Sequence, residues 1–461
     1  MEKLKIEGAS FRDPSGFVFR LGGTLYRQIN SKYREDYIHM RSSGLYNELV
    51  KQGLMLAHEE VDNFPMEKTE DAWKIIAPEE LNFISYPYEW SILHFRSAAL
   101  TTLRIAKLAL EYGMVLKDAS AYNMQFHKGR WCLIDTLSFE RYNEGKPWVA
   151  YKQFCQHFLS PLALLAYGDQ KLGLMARVFI DGIPLDIASK LLPFRTKLRF
   201  GLLTHIHLHA RSQKQYADNA GSEELNNKFF TKQAMEKLLE SLRQTVKSLN
   251  VDMVRTEWEN YYEITNYSRD SFQTKKMAVN NYINIIKPQT VWDLGANTGE
   301  FSRIASEKGI FTVAFDIDPG AVVKNYLQVR KDRDENLLPL IMDLTNPSPS
   351  IGWAHQERQS LIERGQVDLV LALALVHHLA ISNNVPLEKI ASFLKNICTH
   401  LIIEFIPKSD SQVSRLLQTR KDIFLNYHKD GFEKAFERYF EIEKQQRIID
   451  SERIIYLMKV K

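Results

Sequence analysis

Val291-Trp292-Asp293-Leu294-Gly295-Ala296-Asn297-Thr298-Gly299-Glu300-Phe301 carries the strongest fold signal in the carboxyl-terminal part of this chain. The apolar run Thr290–Leu294 predicts a strand, the glycines predict a turn, and residues 300–308 predict a helix. Gly295 lets the main chain turn sharply and leaves room for a ligand against it. Gly299 lets the next helix pack close. A helix starting there presents free N–H groups above the strand end, where ligands of open α/β sheets collect.

Further along, short apolar runs at residues 311–315, 338–342, 367–373 and 401–405 alternate with helical segments such as 386–396. This alternation predicts a parallel sheet covered on both faces. Two final extended runs, 439–449 and 453–460, flank Asp450-Ser451 and read as a two-strand hairpin at the sheet edge. Asp316 ends the second strand, 21 residues beyond Gly295, where a carboxylate suits the vicinal hydroxyls of a ribose. The loop lacks the Gly-x-Gly-x-x-Gly arrangement that admits a pyrophosphate, because Asn297 stands at the second glycine.

This segment resembles motif I of the class I S-adenosylmethionine-dependent methyltransferases, a resemblance that covers residues 265–461. It implies an α/β fold with a seven-stranded Rossmann-like sheet whose last strand is antiparallel, and S-adenosyl-L-methionine as cofactor. Carried over by position, it implies that Asp293, Gly295, Asn297 and Gly299 line the methionine end and that Asp316 holds the ribose. It further implies that Ile317 packs on the adenine and that Asp343, in Met342-Asp343-Leu344, accepts from the exocyclic amine. Leu344 and Ala372 complete the implied cofactor set; Ala372 lies in the fourth-strand motif, which also contains Asp368.

The fourth strand runs into Leu375-Val376-His377-His378-Leu379. His377 and His378 are the candidate catalytic residues, since a neutral imidazole there can take a proton from a hydroxyl or amine attacking the methyl carbon. The competing reading has one histidine capping the next helix and the other packing, because neighbouring side chains at such a junction seldom point the same way. Glu404 ends the fifth strand and either binds substrate or satisfies loop amides. Trp258, Tyr261, Tyr262 and Tyr267 precede the domain and suit either a pocket lid, with Tyr267 preferred, or helix packing.

The amino-terminal half reads as a separate α+β domain, with a β-meander at 11–29 and helices at 97–112 and 152–165. Asp118 and Asn123 lie five apart, and Asp135 follows an apolar run. This spacing resembles the catalytic loop and metal-binding Asp of protein kinases and aminoglycoside-kinase-like phosphotransferases. The resemblance is degenerate: Asp135-Thr136-Leu137 lacks the glycine, Leu116-Lys117 replaces the usual residues before the loop, and no strand lysine or phosphate-covering glycine loop can be placed. His205, His207 and His209 alternate and read as solvated or helix-end histidines rather than as a metal site.

A length of 461 residues exceeds the about 250–300 at which single cores stop growing, so more than one domain is expected. The boundaries fall at 1–211, a polar linker with an amphipathic helix at 212–264, and 265–461. Met235, Leu238, Leu239, Leu242, Val246 and Leu249 form the stripe of that helix. A net charge of +4 gives no nucleic-acid reading, and nothing in the residues points to a membrane. Cys132, Cys155 and Cys398 are too few and too spread for a disulfide framework or a cysteine metal site, and no metal is expected. With a charged amino terminus and no apolar run beyond 369–376, the expectation is a cytoplasmic protein. The expected activity is methyl transfer to a small-molecule acceptor. The alternatives are a phosphotransferase or ATP-binding module in the amino-terminal half, or a non-catalytic scaffold that binds the cofactor.

Overall fold

The computed structural model describes residues 4–62, 64, 71–212, 230–250, 268–418 and 421–461. The chain divides into two compact units, one of Met1–Met253 with Ser350–Arg358, the other of Val254–Pro349 with Gln359–Lys461. Among the described residues no helix is long and apolar enough to cross a membrane. Trp258, Tyr261, Tyr262 and Tyr267 lie outside the described residues, as does most of the polar linker.

The first unit opens on five antiparallel strands: β1 (Lys5–Ile6), β2 (Gly16–Leu21), β3 (Thr24–Asn30), β4 (His58–Val61) and β5 (Ala72–Pro78). Their order is β1-β2-β3-β5-β4, and helices α1 (Arg34–Ser42) and α2 (Leu45–Lys51) intervene between β3 and β4 in sequence. A long helix, α3 (Ile92–Glu111), follows and buries Phe95, Ala98, Ala99, Leu103, Ala106 and Leu110, a stripe at helical spacing. Two small hairpin-like sheets come next: β6 (Met114–Leu116) pairs with β9 (Phe139–Arg141), and β7 (Met124–His127) with β8 (Arg130–Leu133). Helix α4 (Lys232–Ser248) buries the stripe of Met235, Leu239, Leu242 and Val246 and packs on α3.

The alternating histidines correct the sequence reading. His205 and His207 are buried on helical turns, Leu203–Leu208, rather than solvated. His205 bridges the Tyr151 hydroxyl at 2.8 Å and Ser241 Oγ at 2.9 Å, while His207 bridges Ser189 Oγ at 2.8 Å and Thr196 Oγ1 at 2.9 Å. A buried imidazole needs a partner at each ring nitrogen, and hydroxyls from other segments supply them. Burial pushes His205 down to about 4 and His207 in the same direction, so both are neutral hydrogen-bonding pins.

Among the described residues the second unit begins with α5 (Arg269–Ile286), capped by the Ser268 hydroxyl accepting from the Ser271 N–H at 3.1 Å. The strands are β10 (Thr290–Leu294), β11 (Phe311–Asp316), β12 (Leu337–Ile341), β13 (Val367–Ala372), β14 (Cys398–Phe405), β15 (Phe440–Arg447) and β16 (Ile454–Val460). They form one sheet in the order β12-β11-β10-β13-β14-β16-β15. Neighbours from β12 to β14 are parallel, and β16 runs antiparallel to both β14 and β15. This is the Rossmann-like seven-stranded sheet that the resemblance implied. The terminal hairpin is refined in one respect: β16 slots inside the sheet and leaves β15 at the edge. Burial explains the choice, because Ile455, Tyr456, Leu457 and Met458 of β16 are fully buried while β15 is mostly exposed and charged.

Helix α5 presses Ala278, Val279, Tyr282 and Ile283 against Val291, Leu369, Leu371, Ile402 and Leu457 of the sheet. After β11 comes α6 (Pro319–Asp332), whose Asn325 sits directly against Gly299. Gly299 has φ +82°, and a Cβ there would meet the Asn325 amide at 2.5 Å. Gly299→Ala is therefore expected to destabilise this unit by about 2 kcal/mol or more, backbone strain and the clash acting together. Urea unfolding of the two proteins checks this, and an unchanged midpoint would refute the packing role.

Candidate cofactor site

The turn after β10 opens onto a cavity of about 250 Å³ at the carboxyl ends of the parallel strands. Asp293, Gly295 and Asn297 line it from the first turn, Asp316 and Ile317 from the end of β11, and Asp343 and Leu344 from the loop after β12. Leu373, Ala374, Leu375 and His378 close it after β13, and Lys275 enters from α5. Gly295 (φ +79°) and Asn297 (φ +48°) both take left-handed backbone, which folds the turn tightly over the strand end.

Asp316 organises the loop around it. Its two carboxylate oxygens accept the Asn297 N–H at 2.7 Å and the Asp318 N–H at 2.8 Å. Asp318 then caps α6 through the Gly320 N–H at 2.7 Å. Loss of hydration pushes Asp316 up to about 6 against the pull of those amides. Asp293 is buried, accepts from Ser302 Oγ at 2.6 Å, and is pushed up by burial to about 7. Asp343 Oδ1 accepts the Thr345 N–H at 2.8 Å and its hydroxyl at 2.6 Å, a turn that fixes the loop after β12.

Three residues of the expected set do not line the cavity. Gly299 faces Asn325, Ala372 is buried within β13, and His377 is buried behind His378, with ring centroids 4.1 Å apart. Burial first, then His378, Arg453 and Lys275, hold His377 well below its ordinary value, and burial also lowers His378, so both imidazoles are neutral near pH 7. Asp368 lies at the opposite end of the sheet, where it accepts from the Gln289 N–H at 2.7 Å and the Thr290 N–H at 3.0 Å. Its role is to clip the start of β10.

Glu404 follows the amide-satisfying alternative. Its Oε2 accepts the Ala374 N–H at 2.8 Å and the Lys275 ammonium at 2.7 Å, with Glu404 and Lys275 both buried. Ala374 itself has φ +49°, so the carboxylate holds a strained residue on the cavity wall. Arg453 approaches Glu404 Oε1 at 3.8 Å and donates to Asp410 at 2.8 Å. Sequence reasoning missed Lys275. The signal was its place on the buried stripe of α5, with Ser271, Ala278 and Tyr282, where a lysine needs a partner.

A second cavity, of about 260 Å³, lies wholly within the first unit. Asp118, Asn123 and Asp135 all line it, with Arg27, Gln153 and His157. Asp118 accepts from Asn123 Nδ2 at 2.9 Å and Gln153 Nε2 at 2.7 Å, and Arg27 of β3 donates to Asp135. Burial lowers Arg27 to about 10, which still leaves it charged. Glu357 and Arg358 reach this wall from far along the chain: Arg12 grips Glu357 at 2.7 and 3.0 Å, and the Arg358 guanidinium lies 4.1 Å from the Tyr122 ring centre. No local pattern in the sequence marks either residue.

No family model matches the chain. Among solved structures it is similar to the magnesium protoporphyrin IX methyltransferase ChlM from Synechocystis PCC 6803 crystallised with SAH, at 16% identity over 44% of this chain and 93% of that one, TM-score 0.31. It is also similar to a TehB-like SAM-dependent methyltransferase from Corynebacterium glutamicum, at 16% identity over 44% and 97% of the respective chains, TM-score 0.28. WbdD, co-crystallised with the kinase inhibitor LY294002, shares 18% identity over 41% of each chain, TM-score 0.29. Along almost its whole length the chain is 34% identical to the nodulation protein NoeA of Rhizobium meliloti (strain 1021), over 456 residues that make up 97% of this chain and 94% of that protein. This chain therefore belongs to the NoeA family.

Proposed function

We propose that the second unit is a class I methyltransferase that takes S-adenosyl-L-methionine and methylates a small-molecule acceptor. The observation that carries this reading is one cavity lined by Gly295, Asn297, Asp316 and Asp343 at the carboxyl ends of a sheet ordered β12-β11-β10-β13-β14-β16-β15. Each Asp316 oxygen retains a lone pair for a ribose hydroxyl beyond the amide it already accepts. The Lys275 ammonium and the Asp293 carboxyl, both on the cavity wall, complement the two charges of the methionine end. His378 is the imidazole positioned to take the acceptor's proton, and His377 backs it. Methyl transfer otherwise needs an aligned, desolvated nucleophile, which the apolar wall of Leu373, Leu375 and Leu379 favours. Calorimetry with S-adenosylmethionine on the full chain tests the reading, and a folded protein that takes up no cofactor sinks it. Cofactor binding with no methylated product from any extract would favour the scaffold alternative.

The raised Asp316 carboxyl makes affinity depend on pH. Ribose hydroxyls donate to the ionised carboxylate, so the Asp316 contribution is held above pH about 6 and is lost as the group protonates below it. Calorimetry across that range is expected to show affinity falling up to about tenfold per pH unit on the acid side. Asp316→Asn is expected to bind more weakly and with a flatter profile; a wild-type profile that is flat through pH 6 contradicts the assignment.

A second reading concerns the first unit, and the meeting of Asp118, Asn123 and Asp135 in one cavity favours it. It makes this unit a degenerate kinase-like, nucleotide-binding module, with Arg27 on β3 as the cation facing Asp135. Thermal stabilisation by ATP with magnesium, abolished in Asp135→Ala, would support it. No shift in the wild type would retire it.

A further inference from the structure

The segment Lys190-Leu191-Leu192-Pro193-Phe194-Arg195-Thr196-Lys197-Leu198-Arg199-Phe200 belongs to neither cavity. It makes a turn over Phe194–Leu198 and continues into a short helix at Phe200–Leu202. Thr196 is fully buried as the keel of the turn: its hydroxyl donates to the Pro193 carbonyl at 2.7 Å and meets His207 Nε2 at 2.9 Å. Leu192 is buried beside it. With the keel pinned inward, the intervening side chains are forced out. Phe194, Leu198 and Phe200 are 72%, 77% and 78% exposed, and Arg195, Lys197 and Arg199 stand exposed between them.

Large apolar side chains held this far into solvent on a pinned turn mark an interaction surface. Charge selects the partner. From residue 187 to residue 217 the chain has no Asp or Glu, while Lys190, Arg195, Lys197, Arg199 and Arg211 are present. The acid that precedes this stretch in sequence, Asp186, is paired with Lys190 at 3.6 Å. Interleaved aromatic or aliphatic and cationic side chains suit the boundary of a bilayer: the rings enter the acyl border while the guanidinium and ammonium heads stay at phosphate level. A protein partner offers no general reason for this alternation; an anionic lipid surface does.

We propose that the turn at Phe194–Phe200 is a peripheral docking site for a membrane surface carrying anionic headgroups. The proposal departs from the expectation of no lipid partner, and it stands independently of the methyltransferase reading. It is tested by co-sedimenting the full-length protein with vesicles of phosphatidylcholine, with and without phosphatidylglycerol. The anionic vesicles are expected to bind at least about tenfold more protein, less so at high salt. The triple variants Phe194→Ser/Leu198→Ser/Phe200→Ser and Arg195→Ser/Lys197→Ser/Arg199→Ser are each expected to lose at least about tenfold of that binding. Their melting temperatures should match the wild type, since Thr196 and His207 are untouched. Equal binding to both vesicles, binding to neither, or variants that sediment like the wild type would overturn the proposal. So would self-association, seen by light scattering and removed by the apolar variant, in a protein that ignores vesicles.

Discussion

Glu404→Ala is expected to destabilise the second unit by about 3–5 kcal/mol, the cost typical of removing one partner from a buried ion pair. The carboxylate is fully buried, and it is the acceptor for the Lys275 ammonium at 2.7 Å and the Ala374 amide at 2.8 Å. Without it the Lys275 ammonium loses its buried counter-charge, and Ala374 loses the bond that holds its left-handed backbone. Urea unfolding followed by circular dichroism measures the loss. Lys275→Met/Glu404→Gln is expected to recover part of it, because the pair is then neutral. Single and double variants falling equally would show that the ion pair is not the source.

Asp316→Ala is expected to weaken S-adenosylmethionine binding by about 100-fold or more. Two hydrogen bonds to a charged group contribute about 1.5–3 kcal/mol each, and about 1.4 kcal/mol is a factor of ten. The substitution also frees the Asn297 and Asp318 amides, so the turn over the cavity and the cap of α6 both loosen. Calorimetry gives the affinity directly. A variant that binds within about threefold of the wild type would remove Asp316 from the site.

Much of the second unit was legible because its signals are local. A strand, a turn that requires left-handed backbone, a helix and an acid at the next strand end lie within 27 consecutive residues, 290–316. The five parallel strands were found within a few residues because each is a short run of buried aliphatic side chains between helices. The amino-terminal triad was legible only as spacing. Its neighbours on the cavity wall, Arg27, Gln153 and Glu357, come from segments far apart in the chain, and no periodicity connects them.

Local signals along the sequence sufficed for the parallel α/β class of the second unit, the glycine turn at 293–299 and the positions of Asp316 and Asp343, since backbone conformation and strand periodicity act over a few neighbouring residues. Tertiary structure alone decided which side chains meet. It placed β16 inside the sheet because that strand's apolar side chains need burial on both faces. It also turned His377 away from the cavity and His378 into its wall, and it drew Lys275 to Glu404 because a buried charge requires a counter-charge. The same rule of burial, read in reverse, exposed Phe194, Leu198 and Phe200: Thr196 and His207 satisfied each other inside, and the rest of the turn had nowhere to go but outward.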